Sequence, residues 1–522
     1  MKSFKNYLLN FLTYLPYKKF ELACKNSEQS FENNWQSTKK LLLKKNQFWI
    51  KKGRSSDSKL DDFDITNYSY YEDAMLQSMD SSISELNGEK VLFSPMTSGT
   101  NGAMKPFLIT KSYKKQYQIV TPPFIHSMTT HVDLGLGKFI YLISLDSAGF
   151  LKANVPTGTI GNFTYKSLPK LFRLFYALPS NILKNPNMFK EYSPYYCLST
   201  EVSALFSVTP PIAINFLKNV LDDLKVKIHK ILDPKFQMEL GIRLSSKREA
   251  HLKKILNKDQ ILVTDIWPTL QIVSCWTTAV CELSIPELQK LVTSSVKIVD
   301  GFYSATEGWV TVQTNLTQRG CVYHPNGCLL EFIECGLPIL KENLVKPWNL
   351  EMGKTYEVFF TNLMGLIRYR IGDIVKCNGF FYSSPILEFV GKSASAISLG
   401  IIRLSENEIT KAAKLAKLED LNNNFFVSFT PEGHGLGFYL NAKFEMEDKK
   451  LLALVFGFDQ ELMKLSKDYS KERSNGTVLG IRVYRVQGEV EYFVTDSTGQ
   501  KKPKVIVNDL NFIKESNFIE LV

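Results

Sequence analysis

Three stretches of the sequence combine residue types able to handle a nucleotide. The first, Thr97-Ser98-Gly99-Thr100-Asn101-Gly102-Ala103-Met104-Lys105, lies between the apolar runs Val91-Leu92-Phe93 and Phe107-Leu108-Ile109. Its glycines let the backbone turn tightly and present N–H groups to an anion, its hydroxyls add donors, and Lys105 brings a compact positive charge. Triphosphate is the ligand this composition suits. The spacing is not that of the P-loop, since no Ser or Thr follows Lys105 to meet a metal ion. The second stretch, Phe302-Tyr303-Ser304-Ala305-Thr306-Glu307-Gly308, offers an aromatic face for a purine, a hydroxyl, and a carboxylate for Mg2+. In the third, Gly365-Leu366-Ile367-Arg368-Tyr369-Arg370-Ile371-Gly372-Asp373, a carboxylate behind a glycine can accept from both hydroxyls of a ribose. Each also has a plainer reading: a Ser/Thr/Gly-rich turn, a strand-end turn with an exposed Glu, and a capped turn with surface ion pairs.

In this order and at these separations the three resemble the adenylate-forming superfamily, whose T-S-G-T-T-G-x-P-K loop, Y-x-x-T-E turn and Y-R-x-G-D turn surround ATP. The closer resemblance is to the auxin-responsive acyl acid-amido synthetases, the plant enzymes and their bacterial relatives that join auxin- or jasmonate-like acids to amino acids. Trp267-Pro268-Thr269-Leu270, Ser274-Cys275-Trp276-Thr277 and Ile285-Pro286-Glu287-Leu288 extend it, so that it covers the chain from about Tyr70 to Lys504. The resemblance implies that Thr97 to Lys105 grips ATP phosphates, with Ser98, Thr100 and Lys105 in contact and Thr97 and Gly99 within the grip. It implies that Tyr303 lies against the adenine, Thr306 near the α-phosphate, Glu307 on Mg2+ and Asp373 on the ribose, with Arg370 or Tyr369 supporting that turn. A C-terminal lysine is expected to reach the reacting carboxylate. In Gly499-Gln500-Lys501-Lys502-Pro503-Lys504 the best match is Lys502, with Lys501 and Lys504 as competitors. Lys502, Glu307 and Lys105 are thus the expected catalytic set. Departures from the family pattern are Asn101, Met104, and Lys392 where an arginine is usual.

The implied reaction activates a carboxylic acid as an acyl-adenylate and passes it to an amine. Adenylation motifs alone do not separate this from transfer to coenzyme A or a carrier thiol. A catalytically silent binding protein on the same fold is a third reading, opposed by the intact Ser98, Glu307 and Asp373. Trp267, Trp276 and Phe302 are candidates to line an apolar acid pocket, although core aromatics have the same signature.

A chain of 522 residues with 44% hydrophobic and 22% charged content suits a soluble enzyme of more than one domain. Helix-like and strand-like segments alternate, which predicts an α/β fold. Residues 1–390 form a large adenylate-forming domain with mixed sheets, 391–400 a Ser/Gly/Ala-rich hinge, and 401–522 a smaller α+β domain, mobile by resemblance. Strands are expected at 139–144, 271–274, 296–299, 310–313, 327–335, 355–361, 374–377, 425–430, 437–440, 481–485 and 490–495. Helices are expected at 111–119, from Pro210-Pro211 to Leu221, at 285–291, 405–415 and 460–467, and across a segment containing Leu168, Leu171, Phe172 and Phe175.

The net charge of +11 is uneven: the first sixty residues hold thirteen Lys or Arg against four Asp or Glu. Such a region suits an acidic membrane surface or partner, or simply solvated helix faces; no nucleic-acid-binding signature accompanies it. Phe4, Tyr7, Leu8, Phe11, Leu12 and Leu15 recur at helical spacing. They predict an amphipathic helix whose apolar stripe packs on the body, not a signal peptide. No run is long enough to span a bilayer, and a cytoplasmic monomer with reduced cysteines is expected, peripheral membrane contact remaining open.

Overall fold

The computed structural model describes residues 2–521 apart from 45–46, 99–103, 144–146, 151–153, 159, 168–174, 394–395, 400–401, 422–423, 431–434, 475–477, 479, 488–492, 496–500, 504 and 508–517. Four strands, β2 (Lys138–Tyr141), β3 (Val202–Phe206), β4 (Ile272–Cys275) and β5 (Lys297–Asp300), lie side by side in that order, all parallel. Every residue of β4, and all of β3 but its last, is buried. Parallel strands covered by helices on both faces read as continuous apolar runs in this way. Ahead of them, β1 (Val91–Ser98) turns back on Met104–Pro106, pairing Thr97 with Lys105, and runs parallel to Pro156–Gly158.

A second large sheet is antiparallel, with Thr311–Val312 and Cys321–Tyr323 leading into β9, β8, β7 and β6 in space. These are β6 (Leu329–Glu334), β7 (Thr355–Thr361), β8 (Tyr369–Phe381) and β9 (Ser384–Lys392). The stretch expected to be a hinge starts as the last residues of β9 and then forms a strand, Ala396–Leu399, paired with Ile402–Ser405.

The C-terminal part packs α3 (Glu406–Leu415) and a helix at Asp448–Leu465 on a sheet of Phe425–Phe429, Leu436–Asn441, Arg482–Val486 and Phe518–Glu520. Ser405 and Glu408 start α3 by a reciprocal capping box, each side chain accepting from the other's backbone N–H. The Asp448–Leu465 helix begins twelve residues before the expected one. Leu451, Val455, Phe458 and Leu462 are its buried face, and Gly457 within it had masked the period. The turn Ala279–Ser284 inserts Leu283 into the core of this C-terminal part. Beside it Glu282 accepts from Arg319 (2.6 Å) and from Lys414 of α3 (2.5 Å).

The N-terminal helix α1 (Phe4–Lys25) corrects the expectation for its stripe. It packs along α2 (Thr121–His131), but through the side that carries Asn6, Asn10 and Thr13 together with the buried Leu9, while Phe20 and Cys24 are buried further along. Asn6 donates to the Thr129 carbonyl (3.0 Å) and accepts from Leu134 N–H (2.9 Å), and Asn10 donates to the Thr129 hydroxyl (3.0 Å). Ser3 binds Asp133 through its amide and hydroxyl, and Lys2 donates to the Thr129 and Thr130 carbonyls (2.6 Å each). Phe4, Tyr7, Leu8, Phe11, Leu12 and Leu15 all point outward. The hydrogen bonds set the rotation of the helix about its axis, and periodicity alone does not say which side of a stripe is covered.

Candidate active site

The parallel sheet ends where ligands of α/β proteins bind, at the carboxyl ends of its strands. At the end of β5, Gly301 N–H donates to Cys275 O (2.9 Å) and leads the chain into Phe302 and Tyr303. A minimal hairpin follows, Ser304–Ala305 pairing with Gly308–Trp309, so that Thr306 and Glu307 form its two-residue tip. Three groups hold that tip. Tyr113 Oη donates to Thr306 O (2.5 Å), while Asn362 Nδ2 (2.8 Å) and Cys328 Sγ (3.6 Å) donate to Glu307 O. Gly308 is required here, since a Cβ would lie 2.6 Å from Cys328 Sγ.

Antiparallel register brings the other half of the site. Asp373 of β8 stands opposite Lys392 of β9. Its two carboxylate oxygens accept from Tyr303 Oη (2.9 Å) and Lys392 Nζ (2.5 Å). Gly372, at φ +78°, turns the backbone just before Asp373, and Ser393 N–H donates to its carbonyl (2.6 Å). Tyr303 is buried, its ring stacked on Phe389 at 5.9 Å. Burial pushes the Tyr303 hydroxyl well above its ordinary range, and the charges of Asp373 and Glu307 push it further. Burial works against the Lys392 ammonium, but Asp373, then Glu307 and Glu406, outweigh it and its pKa stands above that of an ordinary lysine. Lys392 therefore stays charged, bonded to Asp373 with Glu307 and Glu406 close enough to act on it.

The opening loop connects to this cluster through aromatics. The Lys105 ammonium lies 5.0 Å from the Tyr68 ring centroid, Tyr68 packs on Phe107, and Phe107 on Tyr369. The Tyr369 hydroxyl is raised by burial and then by the Glu307 charge. Thr97 and Ser98 are backbone partners of Lys105 and Met104, while Gly99 and Thr100 lie outside the described residues. Arg370 does not meet Asp373; its guanidinium makes two bonds to Glu357 (2.5 and 3.1 Å). The backbone of Lys502 pairs with Val494, in a strand that approaches the helix Pro210–Leu221. Its side chain, and Lys504, lie outside the described residues. Trp267 is a core residue whose indole donates to Cys197 O (3.0 Å). Phe302 packs on Trp309 and Phe124.

Sequence reasoning missed Asn362 and Tyr113, which hold the hairpin tip, and saw Lys392 only as a departure. An asparagine inside the apolar run Phe359 to Met364 was the available signal for the first.

The fold is that of an adenylate-forming enzyme. A 2-hydroxyisobutyryl-CoA ligase in its post-adenylation state superposes with a TM-score of 0.54 at 12% identity, covering 92% of this chain and 89% of that one. An acyl acid amido synthetase in complex with 2,4-DB superposes with a TM-score of 0.79 at 16% identity, covering 97% of this chain and 96% of that one. The GH3 family N-terminal domain matches residues 18–297 and the GH3 family central domain residues 321–392. The chain belongs to the GH3 family. The 4-substituted benzoates-glutamate ligase GH3.12 of Arabidopsis thaliana is 24% identical over 467 residues, 79% of this chain and 80% of that protein. Several other plant amido synthetases are matched over only a third to a half of their own length.

Proposed function

We propose that this chain is an ATP-dependent acyl acid-amido synthetase. The observation that carries the reading is the Tyr303–Asp373–Lys392 cluster beside Glu307, at the carboxyl end of the parallel sheet in a GH3 frame. A carboxylate oxygen of the acid attacks the α-phosphorus of ATP, the bond to the bridging oxygen breaks, and pyrophosphate leaves. An amine nitrogen, here an amino acid's, then attacks the acyl carbon, AMP departs with the former carboxylate oxygen, and the amine loses a proton.

In this reading Asp373 accepts from the ribose hydroxyls, Lys392 orients that carboxylate, and Tyr303 presents its ring toward the base. Thr97 to Lys105 grips the phosphates, Lys105 offsetting charge on the departing pyrophosphate, and Thr306 lies near the α-phosphate. Lys502 brings a positive charge to the reacting carboxylate, delivered by motion of the small domain. Glu307 would hold Mg2+, and one carboxylate completed by phosphate oxygens and water is a donor set this ion accepts. Bound there, the ion would neutralise phosphate charge. Both substrates are small molecules, and the enzyme works as a cytoplasmic monomer; its eight cysteines are free thiols, as suits a reducing compartment.

The test is carboxylate-dependent exchange of labelled pyrophosphate into ATP across a panel of acids. Exchange that disappears in Glu307→Ala is expected. No exchange in the wild type with any acid would overturn the reading. Product mass with amino acids or coenzyme A supplied then distinguishes amide from thioester.

A further inference from the structure

Helix α1 presents to solvent what most surface helices hide. At 100° per residue, Phe4, Tyr7, Leu8, Phe11, Leu12, Tyr14, Leu15 and Leu22 fall within an arc of about 160°. Phe4, Phe11, Leu15 and Leu22 are 82%, 77%, 69% and 60% exposed. Contiguous apolar surface of this kind marks an interaction site, whereas scattered single residues do not. The helix is not free to turn the stripe inward, because Lys2, Ser3, Asn6 and Asn10 anchor its polar side to the chain around Thr129 and Asp133.

Charge identifies the occupant. The helix carries four lysines against one glutamate. Lys18, Lys19 and Lys25 lie within the exposed arc at its C-terminal end, and Lys5 stands at its margin, all four exposed. Glu21 is already paired with Lys18 (2.7 Å) and Lys25 (3.2 Å), and the bonds from Lys18, Tyr382 and Lys25 hold its pKa near 2. An apolar stripe with aromatics, flanked by lysines whose stems can lie along an interface, is the pattern of a helix seated in the headgroup region of an anionic bilayer. The GH3 N-terminal match begins at residue 18, so the turns from Phe4 to Leu15 precede it.

We propose that α1 is a peripheral membrane anchor, lying flat on an anionic lipid surface with Phe4, Phe11 and Leu15 inserted and Lys5, Lys18 and Lys19 at the headgroups. Apolar insertion and lysine attraction are two weak signals that together give stable, reversible attachment. This assignment is independent of the reaction the protein catalyses.

The experiment is co-sedimentation of the full chain with vesicles of phosphatidylcholine alone or mixed with phosphatidylglycerol. Binding to the mixed vesicles that weakens with salt, and little binding to the neutral ones, is expected. Phe11→Asp with Leu15→Asp should reduce the bound fraction about tenfold or more, and Lys18→Gln with Lys19→Gln several-fold. Because these side chains face solvent, the unfolding temperature should not move; Phe11→Ser with Leu15→Ser serves as a milder second variant. Absence of wild-type binding to anionic vesicles would overturn the proposal, as would binding indifferent to the changes at positions 11 and 15. A dimer in light scattering that the same changes dissolve, without vesicle binding, would assign the face to a second copy of the chain instead.

Discussion

Arg368 and Asp373 stand on the same short stretch and put their charges to different uses. Arg368 is 2% exposed and adopts φ +48°, a left-handed conformation that a bulky residue rarely holds. Its guanidinium donates to both oxygens of Glu331 (2.8 Å each), to Phe63 O (2.8 Å) and to Asp61 (2.6 Å). These bonds tie the antiparallel sheet to the segment before residue 68, and no face of the group is left toward the cleft. Asp373 is equally buried, yet its partners are a phenol and a lysine that is 43% exposed. Ligand hydroxyls can replace the phenol without stranding a charge, because Lys392 remains. Burial and ion pairing thus mark both positions, and the nature of the partners separates scaffold from site.

The largest effect should come from Arg368→Met. It strips the buried Glu331 of two of its bonds and leaves Lys346 (2.7 Å) as its remaining cationic partner, at a cost of about 3 kcal/mol in urea unfolding. A cost below about 1 kcal/mol would erase the distinction drawn here. Asp373→Asn should instead spare stability to within about 1 kcal/mol and lower kcat/KM for ATP about 100-fold, the loss of charge-assisted bonds to substrate. Equal damage to folding and exchange would make Asp373 a second Arg368.

Asp300 is an intermediate case, a half-buried carboxylate at the end of β5 with Thr277 N–H as its donor and its pKa pushed up to about 6, chiefly by desolvation. A folded-state value raised from 3.8 means the folded state holds the proton more tightly, a stabilisation complete below pH 3.8 and lost as pH rises through about 6. Above that the ionised group is a cost. Asp300→Asn should therefore be more stable than wild type at neutral pH, by on the order of 2 kcal/mol, and the advantage should vanish near pH 4. Thermal melts against pH measure this; a pH-independent difference would refute the assignment. The smallest effect is expected for Tyr303→Phe, which keeps the stacking on Phe389 and removes one hydrogen bond. A stability loss of about 1 kcal/mol and a change in exchange rate within about fivefold are expected; a loss like that of Asp373→Asn would show that the phenol itself engages the substrate.

Much of this contrast was legible in the chain, but unevenly. Strand Thr355–Thr361 and the helix at Ile285–Leu291 are legible to their end residues, and β4 and β5 to within one, because short apolar β-rich runs and a Pro-started helix are local signals. Tyr303, Glu307 and Asp373 were legible as motifs. The partnership of Lys392 with Asp373 was not, since it comes from the β8–β9 register across nineteen positions. Arg368 and Arg370 look alike in the sequence, and only the fold sends one into the core and the other to Glu357 on the strand beside it. The outward stripe of α1 was visible as a period and misassigned as a face.

The insertion of Leu283 into the small domain bears on torque. Leu283, with Val280 packed against the same core, makes a small apolar contact whose burial depends little on angle, so the two would act as a pivot if the C-terminal part turns. The ion pair between Glu282 and Lys414 does prefer one angle. Orientation of the two domains would then be set by electrostatics at the rim of the pivot, tunable by ionic strength, while the grip of one domain on the other is not.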